Sequence, residues 1–227
     1  MGIRPESSHH EEGPGQNEID FRYSDPLTAA DNTMTFQTVV KTIARRNGVF
    51  VDFSPKPLEN EPGNGFHINM SVKPSETSEN LCYMIAGVLN KVEEMTAFLN
   101  PTEDSYKRFG MDKAPGYVSW SSENRSQLVR VPAAVGEYRR AELRSPDPMA
   151  NPYIAFTLMI YAALNGLENK LNLPEAANIN LYKADAETLA KFKRLPSSLS
   201  DACKAAATSD FIKEHIPAAI LDIYCKK

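Results

Sequence analysis

Apolar residues recur with helical spacing over three long stretches, and we predict each of them to be a helix: Pro26–Arg46, Glu79–Leu99 and Pro152–Leu171. The first stretch begins with a proline, which suits the first turn of a helix, and ends near Asn47-Gly48, a common helix stop. In the second stretch, the apolar positions 81, 85, 88, 89, 92 and 95 share one helical face. Shorter helices are predicted near the end of the chain, over Asp185–Arg194, Ser200–Ala207 and Ser209–Tyr224.

Short runs typical of β-strands precede and separate these helices. Six are predicted to be strands: Ile19–Tyr23, Val49–Ser54, Gly65–Val72, Tyr117–Ser121, Gln127–Val131 and Arg139–Arg144. Because the runs lack the short strand–helix rhythm of a doubly wound sheet, the predicted fold class is α+β with a mainly antiparallel sheet packed by long helices. Helical patterns dominate after residue 150, so we divide the chain into a strand-rich part, 1–150, and a helical part, 151–227.

The composition is that of a globular protein. The chain has 227 residues, of which 42% are hydrophobic and 24% charged, so it has enough apolar surface for a core and is not disordered as a whole. A net charge of -4 argues against nucleic acid as a partner. The longest apolar run, Pro152–Leu164, is shorter than the ~20 residues of a membrane span, and the first twelve residues lack the apolar core of a signal peptide. Three cysteines cannot all pair, which favours a reducing, cytoplasmic setting.

The segment His9–Glu18 carries two carboxylates, Glu11 and Glu18, on either side of Gly13-Pro14-Gly15. In one straight strand these carboxylates would point to opposite faces, but the glycines and proline predict a turn or bulge that lets them converge. Two carboxylates with a distant histidine would suit Mg²⁺ or Mn²⁺ better than Zn²⁺. The alternative is a solvated acidic turn, with His9-His10 as a surface pair or the remnant of a tag.

Two predicted strands carry polar residues on one face. In Gly65–Val72, alternation places His67, Asn69 and Ser71 together, which is typical of a polar cavity or, as the segment alone favours, of a solvent-facing strand.

The strand Arg139–Arg144 places Glu142 between Arg140 and Arg144 on one face. This pattern suits a surface ion-pair ladder, or a metal-binding carboxylate flanked by phosphate-binding guanidinium groups. The concentration of arginines between Arg108 and Arg140, in a chain that is acidic overall, favours an anion site. The sequence contains no nucleophile elbow, Walker-type loop, dinucleotide fingerprint or paired-cysteine motif.

Taken in order, these segments resemble the glutamine synthetase family, and the likeness extends from the first residue to about position 182. The matching residues are His10-Glu11 with Pro14-Gly15-Gln16-Asn17-Glu18, Gly65-Phe66-His67-Ile68-Asn69-Met70-Ser71, Asn100-Pro101-Thr102 with Ser105-Tyr106-Lys107-Arg108, Asn124-Arg125-Ser126 with Arg130-Val131-Pro132, Glu142-Leu143-Arg144-Ser145-Pro146-Asp147-Pro148 with Asn151-Pro152-Tyr153, and a turn over Asn165–Lys170. The resemblance implies a ligase in which ATP phosphorylates the γ-carboxylate of glutamate and ammonia then displaces the phosphate. It also implies Mg²⁺ or Mn²⁺ as cofactor and a homo-oligomer.

The resemblance assigns roles residue by residue. Metal binding would fall to Glu11, Glu18, His67 and Glu142. The substrate carboxylates would contact Arg108 and Arg144, with Gly63 in the adjoining loop. Nucleotide binding would involve Ser71, Arg125, Arg130 and Arg140, and Arg125 would also stabilise phosphoryl transfer.

The sequence departs from the family pattern around Lys113-Ala114-Pro115, a segment called the flap below. The family usually carries there a glutamate that binds and deprotonates ammonium, whereas this chain has Lys113, the second candidate catalytic residue, next to Asp112. Asn69 replaces a frequent histidine, and Pro62 replaces a frequent asparagine. Because a lysine repels ammonium, a γ-glutamyl ligase acting on another amine is the first alternative.

Nothing in the sequence matches the family's small β-grasp domain or the first catalytic strands, which supply further metal-binding glutamates. We therefore expect the chain to be the later part of the enzyme, a partial catalytic domain with a helical C-terminal tail, and to be inactive when isolated. A non-catalytic fragment that binds nucleotide or other subunits is the second alternative.

Overall fold

The computed structural model describes residues 2–73, 78–111, 113–122, 124–133 and 139–226. In this part of the chain the elements are, in order, β1 (Pro5–His10), β2 (Asn17–Phe21), α1 (Pro26–Arg46), β3 (Ile68–Met70), α2 (Ser78–Leu99), a 3₁₀ helix (Glu103–Arg108), β4 (Trp120–Ser121), β5 (Val129–Arg130), β6 (Ala141–Leu143), α3 (Pro152–Glu168), α4 (Ala186–Leu189), α5 (Leu199–Thr208), α6 (Asp210–His215) and α7 (Ala218–Cys225). Within these residues, no helix combines the length and apolarity that a bilayer crossing requires.

The strands form two sheets. Strands β1 and β2 make an antiparallel hairpin, and the other four form a sheet in the order β3-β6-β5-β4. The β3–β6 and β5–β6 pairs are antiparallel, whereas β4 and β5 run parallel. The prediction of a mainly antiparallel α+β fold is therefore confirmed.

The core lies between the four-stranded sheet and the long helices. Buried α2 residues, with Val92, Met95 and Phe98 fully inaccessible, pack together with buried positions of β3, β5 and β6 and with α3 and α5. The apolar face that the sequence predicts for α2 thus packs against the sheet. Every β6 residue is buried, so the strand that carries Glu142 is held on both sides.

The start of α1 matches the prediction. The Asp25 side chain accepts a hydrogen bond from the Thr28 backbone N–H at 3.0 Å, and Pro26 occupies the first turn, where its missing N–H costs no helical hydrogen bond. In α3, the Asn151 side chain caps the helix, which ends at Glu168. Residues 165–168 are consequently the last turn of a helix rather than a separate turn, and the chain turns only at Lys170, where φ is 47°.

Two predicted elements are wrong. The run Val49–Ser54 forms no strand: Phe50 is 87% exposed, and the carbonyl groups of Asp52 and Ser54 accept hydrogen bonds from the Asn64 side chain instead of a neighbouring strand. The predicted helix Ser209–Tyr224 is two helices, because Pro217 forces the preceding Ile216 into an extended conformation (φ −122°, ψ 124°).

Candidate active site

His67 and Glu142 meet across the β3–β6 pair. Glu142 lies in the middle of β6 opposite Asn69, and His67 immediately precedes β3. The His67 Nδ1 atom lies 3.3 Å from Glu142 Oε1. The two residues therefore share one face of the sheet, and the solvent-facing interpretation of the strand is wrong for His67, whose side chain is 22% exposed.

Two arginines converge on the other oxygen of Glu142. The Arg144 Nη1 atom lies 3.0 Å from Glu142 Oε2, and the Arg130 Nη1 atom lies 3.4 Å from it. Burial acts to raise the pKa of Glu142, but the His67 hydrogen bond and the Arg144 guanidinium outweigh it and lower this pKa to about 2. The carboxylate is thus charged throughout the neutral range.

The β1–β2 hairpin carries a second group of donors. His9 and Glu18 are direct cross-strand partners, and ligand atoms of His9, Glu11 and Glu18 all lie within 4.8 Å of one another. The tight turn between the strands, with Gly15 at φ 68°, returns the chain so that Glu11 joins them. The predicted convergence of the two carboxylates across Gly13-Pro14-Gly15 is therefore observed.

The carboxyl group of Glu18 has a raised pKa. Burial raises the pKa of its carboxyl group, and the negative charges of Asp20 and Glu11 act in the same direction. The neighbouring imidazoles of His67 and His9 act in the opposite direction. Contacts of Lys113 link the two donor groups, since its Nζ atom meets Glu11 and its carbonyl oxygen accepts from Arg144, the partner of Glu142, and the space beside these contacts is the candidate site.

The flap reaches this space through Lys113. Its Nζ atom lies 2.9 Å from Glu11 Oε2 and 3.0 Å from Glu12 Oε1. Burial acts to lower the pKa of Lys113, but the hydrogen bonds to Glu11 and Glu12 outweigh it, so this pKa is raised and the side chain stays cationic. The neighbouring candidate, Asp112, lies outside the described residues.

Arg108 is buried beneath the site. Its Nη1 donates to the Ser145 carbonyl at 3.1 Å and lies 3.8 Å from Asp147 Oδ2, and its Nη2 donates to the Pro146 carbonyl at 3.4 Å. A Cβ atom on Gly63 would lie 2.7 Å from Arg108 Cγ, so only glycine lets this loop pack on the arginine. Arg108 therefore holds both the segment after Arg144 and the loop around Gly63.

The remaining predicted site residues are exposed. Ser71 follows β3, and Arg125 lies in the turn between β4 and β5. The Arg140 side chain donates from Nε to Asn69 Oδ1 at 3.2 Å.

Sequence reasoning missed two residues of the site. His9, taken for a surface or tag residue, is the register partner of Glu18, and its Nε2 lies 3.3 Å from Glu11 Oε1. Gln16 donates to the Gly63 carbonyl at 3.1 Å and to Asn64 Oδ1 at 2.9 Å, which joins the hairpin to the Gly63 loop. Recognition of residues 5–10 as a polar strand paired with β2 would have placed His9 opposite Glu18.

The donor set fits a hard divalent cation. Carboxylate oxygens dominate it, with imidazole nitrogens from His9 and His67, a mixture that suits Mg²⁺ or Mn²⁺. In the described part of the chain, the buried Nε atoms of Arg130 and Arg144 have no hydrogen-bond partner, and both belong to the side chains that contact Glu142. These donors suit an anionic ligand beside the cation.

Sequence comparisons identify the class of protein that this fold and site define. Residues 1–227 match the family profile described as "Glutamine synthetase, catalytic domain". The chain is 42% identical to the glutamine synthetase of Methanosarcina mazei, over 100% of this chain and 54% of that protein. It is 43% identical to the glutamine synthetase of Staphylococcus aureus, over 94% of this chain and 51% of that protein. The chain thus spans about half the length of the curated relatives it matches.

Structural comparison agrees with the sequence. The structure described as "GmaS/ADP complex-Conformation 1" matches with a TM-score of 0.86 and 28% identity, over 98% of this chain and 56% of that one. GmaS without ligand matches with a TM-score of 0.83 and 28% identity, over 97% of this chain and 54% of that one. The chain belongs to the glutamine synthetase family, whose catalytic domain it matches, and the predicted resemblance is confirmed.

Proposed function

We propose that this chain forms the catalytic region of a glutamine synthetase-type ligase. The reaction joins a nitrogen nucleophile to the γ-carboxylate of glutamate, through γ-glutamyl phosphate, at the expense of ATP and with Mg²⁺ or Mn²⁺. Family membership supports the reaction class. The single observation that carries the proposal is the clustering of the His9, Glu11 and Glu18 ligand atoms within 4.8 Å of one another, joined through Lys113 and Arg144 to Glu142.

Carboxylate and imidazole groups are proposed to bind the cation. Glu11, Glu18, His67 and Glu142, joined by His9, hold the divalent cation, which when bound neutralises charge that develops on the transferred phosphoryl group.

Guanidinium groups bind the anions next to the cation. Arg130, supported by its contact with Glu142, donates to nucleotide phosphate oxygens, and Arg144 binds a substrate carboxylate. Arg108 and Gly63 shape the floor of the glutamate pocket, since Arg108 fixes the backbone of residues 145–146. The exposed Ser71, Arg125 and Arg140 face the nucleotide, with Arg125 at the transferred phosphoryl group.

A second candidate function is a γ-glutamyl ligase that uses an amine other than ammonia. The observation that favours it is the cationic Lys113 in the flap, paired with Glu11 and Glu12. A protonated lysine neither attracts ammonium nor takes its proton. A neutral or weakly basic amine has less need of a carboxylate base.

The first test is calorimetric titration of the 227-residue chain with ADP, with and without Mn²⁺. We expect Mn²⁺-dependent ADP binding that Glu18→Gln weakens strongly, because Glu18 is one of the three clustered donors of the hairpin. ADP binding of equal affinity with and without Mn²⁺ would contradict the proposed site. So would a Glu18→Gln variant that binds ADP as tightly as the unmodified chain. Product analysis of a longer chain that also carries the family's upstream region, with glutamate, ATP, Mg²⁺ and either ammonia or a panel of primary amines, then identifies the nucleophile.

We also propose that the protein forms a homo-oligomer and works in a reducing, cytoplasmic compartment. Its strand-rich part is residues 1–150 and its helical part is residues 151–227. Large apolar side chains exposed near the hairpin and α1 support self-association; they are Tyr23, Leu27, Ile43, Val49 and Phe50. The three cysteines are unpaired, as a reducing compartment requires. Light scattering coupled to size-exclusion chromatography tests the assembly.

A further inference from the structure

The Glu11 carboxylate is shared between two partners. Its Oε1 atom lies 3.3 Å from His9 Nε2, on the side of the donor group that also includes Glu18. Its Oε2 atom lies 2.9 Å from the Lys113 ammonium. One oxygen thus belongs to the candidate cation site and the other to a cation that the protein itself provides.

The position of Lys113 is defined by its surroundings. Its backbone adopts the left-handed conformation (φ 67°), and its carbonyl oxygen accepts a hydrogen bond from Arg144 Nη2 at 3.5 Å. Met111 and Ala114 form a β-bridge around it. The ammonium also contacts Glu12 Oε1 at 3.0 Å, so two carboxylates hold it at the edge of the site.

We propose that Lys113 is a built-in competitor for the Glu11 carboxylate and thereby sets the affinity of the hairpin group for divalent cations. A divalent cation at His9, Glu11 and Glu18 would meet the positive charge of Lys113 across a single carboxylate. Because Lys113 withdraws negative charge from Glu11 and repels the incoming ion, binding is weaker than the carboxylates alone would allow. The inference rests on the proposed function, since it takes this donor group to be the cation site.

The test is direct titration of the 227-residue chain with Mn²⁺, with free Mn²⁺ measured by electron paramagnetic resonance. We expect Lys113→Gln to tighten Mn²⁺ binding roughly three- to tenfold, the range that follows from removing one partly exposed ion pair together with its repulsion. Lys113→Arg keeps the charge and should stay close to the unmodified protein. The matched control is Lys107→Gln, which removes an exposed lysine paired with Asp104 at 2.7 Å and should leave Mn²⁺ binding unchanged.

Two further variants identify the route of the effect. In a Glu11→Gln background, Lys113→Gln should tighten Mn²⁺ binding clearly less, because the shared carboxylate is gone and only the direct repulsion of the ion is relieved. An equal gain in both backgrounds would overturn competition through Glu11. Lys113→Asn is a second neutral variant, since asparagine tolerates the left-handed backbone at this position and preserves the test if Lys113→Gln does not fold.

The outcomes separate the two proposals. If the unmodified chain binds Mn²⁺ through Glu18 but both neutral variants bind it equally or more weakly, the role of Lys113 is wrong and the cation site stands. If neither the unmodified chain nor the neutral variants bind Mn²⁺, the proposed site fails, and the inference fails with it.

Discussion

The backbones of Gly87 in α2 and Gly166 in α3 touch directly. A Cβ atom on Gly87 would lie 2.1 Å from the Ala162 carbonyl oxygen, and one on Gly166 would lie 2.0 Å from the Tyr83 carbonyl oxygen. The two helices therefore approach each other without an intervening side chain. Because α2 also packs against β3, which follows His67, and β6, which carries Glu142, this contact is part of the packing under the site.

Replacement of either glycine by alanine should destabilise the protein. In an ordinary helix interior, glycine to alanine stabilises, but here the added methyl group would overlap backbone atoms and cost about 3 kcal/mol. Urea unfolding measures the change. The matched control is Gly116→Ala. The added Cβ atom would lie 3.3 Å from its nearest neighbour, so the free energy of unfolding should fall much less. Equal effects at all three positions would contradict the close contact.

Glu142→Gln should lower the stability of the metal-free protein at neutral pH by about 3 kcal/mol, because it leaves Arg130 and Arg144 without their shared carboxylate. The Glu142 pKa is about 2 in the folded protein, below the ordinary 4.5 that applies on unfolding. The stabilisation of the folded protein by ionised Glu142 is thus complete above about pH 5. It is lost as the pH falls towards 2, since the unfolded chain takes up the proton first.

Urea unfolding of both proteins between pH 7 and pH 2.5 provides the measurement. The stability gap between the unmodified protein and Glu142→Gln should be constant above about pH 5 and narrow below it. A gap of constant size at every pH would show that Glu142 does not carry the depressed pKa.

His9 and His10 form a matched pair for testing the cation site. Only His9 has a ring nitrogen within 4.8 Å of the ligand atoms of Glu11 and Glu18. We expect His9→Gln to weaken Mn²⁺ binding at least about tenfold, a loss that even outer partners of metal ligands produce. His10→Gln should bind as the unmodified protein does in the same titration; equal losses in both variants would indicate a general disturbance of the hairpin.

Arg108→Met should reduce the free energy of unfolding by about 3 kcal/mol, because it leaves the fully buried Asp147 without its cation and two backbone carbonyl groups without their donor. The control is Lys107→Met, since Lys107 is exposed and its ion pair with Asp104 lies at the surface, and we expect no measurable change in the free energy of unfolding there. Thermal unfolding of both variants gives the comparison; an unaffected Arg108→Met would show that the buried pair adds no stability.

The sequence predicts best the elements whose signal is local. Helix α1 has its proline and cap, and α2 has a regular apolar face, so both were found almost to the residue. Strand β1 was missed, because all six of its residues are exposed and no apolar alternation indicates it. Once β1 is missed, its pairing of His9 with Glu18 is also invisible.

Contacts between residues far apart along the chain are the second kind of feature that the sequence does not predict. The turn around Gly13-Pro14-Gly15 correctly indicated that Glu11 and Glu18 converge, because a tight turn acts over a few residues. Single-sequence patterns carry no information on the Lys113–Glu11 pair or on the Gly87–Gly166 contact, whose partners lie far apart along the chain.

The β3–β6 pairing also constrains the order of folding. Asn69 in β3 and Arg140, the residue before β6, are joined by a hydrogen bond and separated by 71 positions, and the whole of α2 lies between them. Closing so long a loop has an entropic cost that is met only once α2 has collapsed onto its neighbours. We therefore expect His67 and Glu142 to come together after the rate-limiting step of folding. A divalent ion present during refolding should consequently slow unfolding while leaving the refolding rate unchanged.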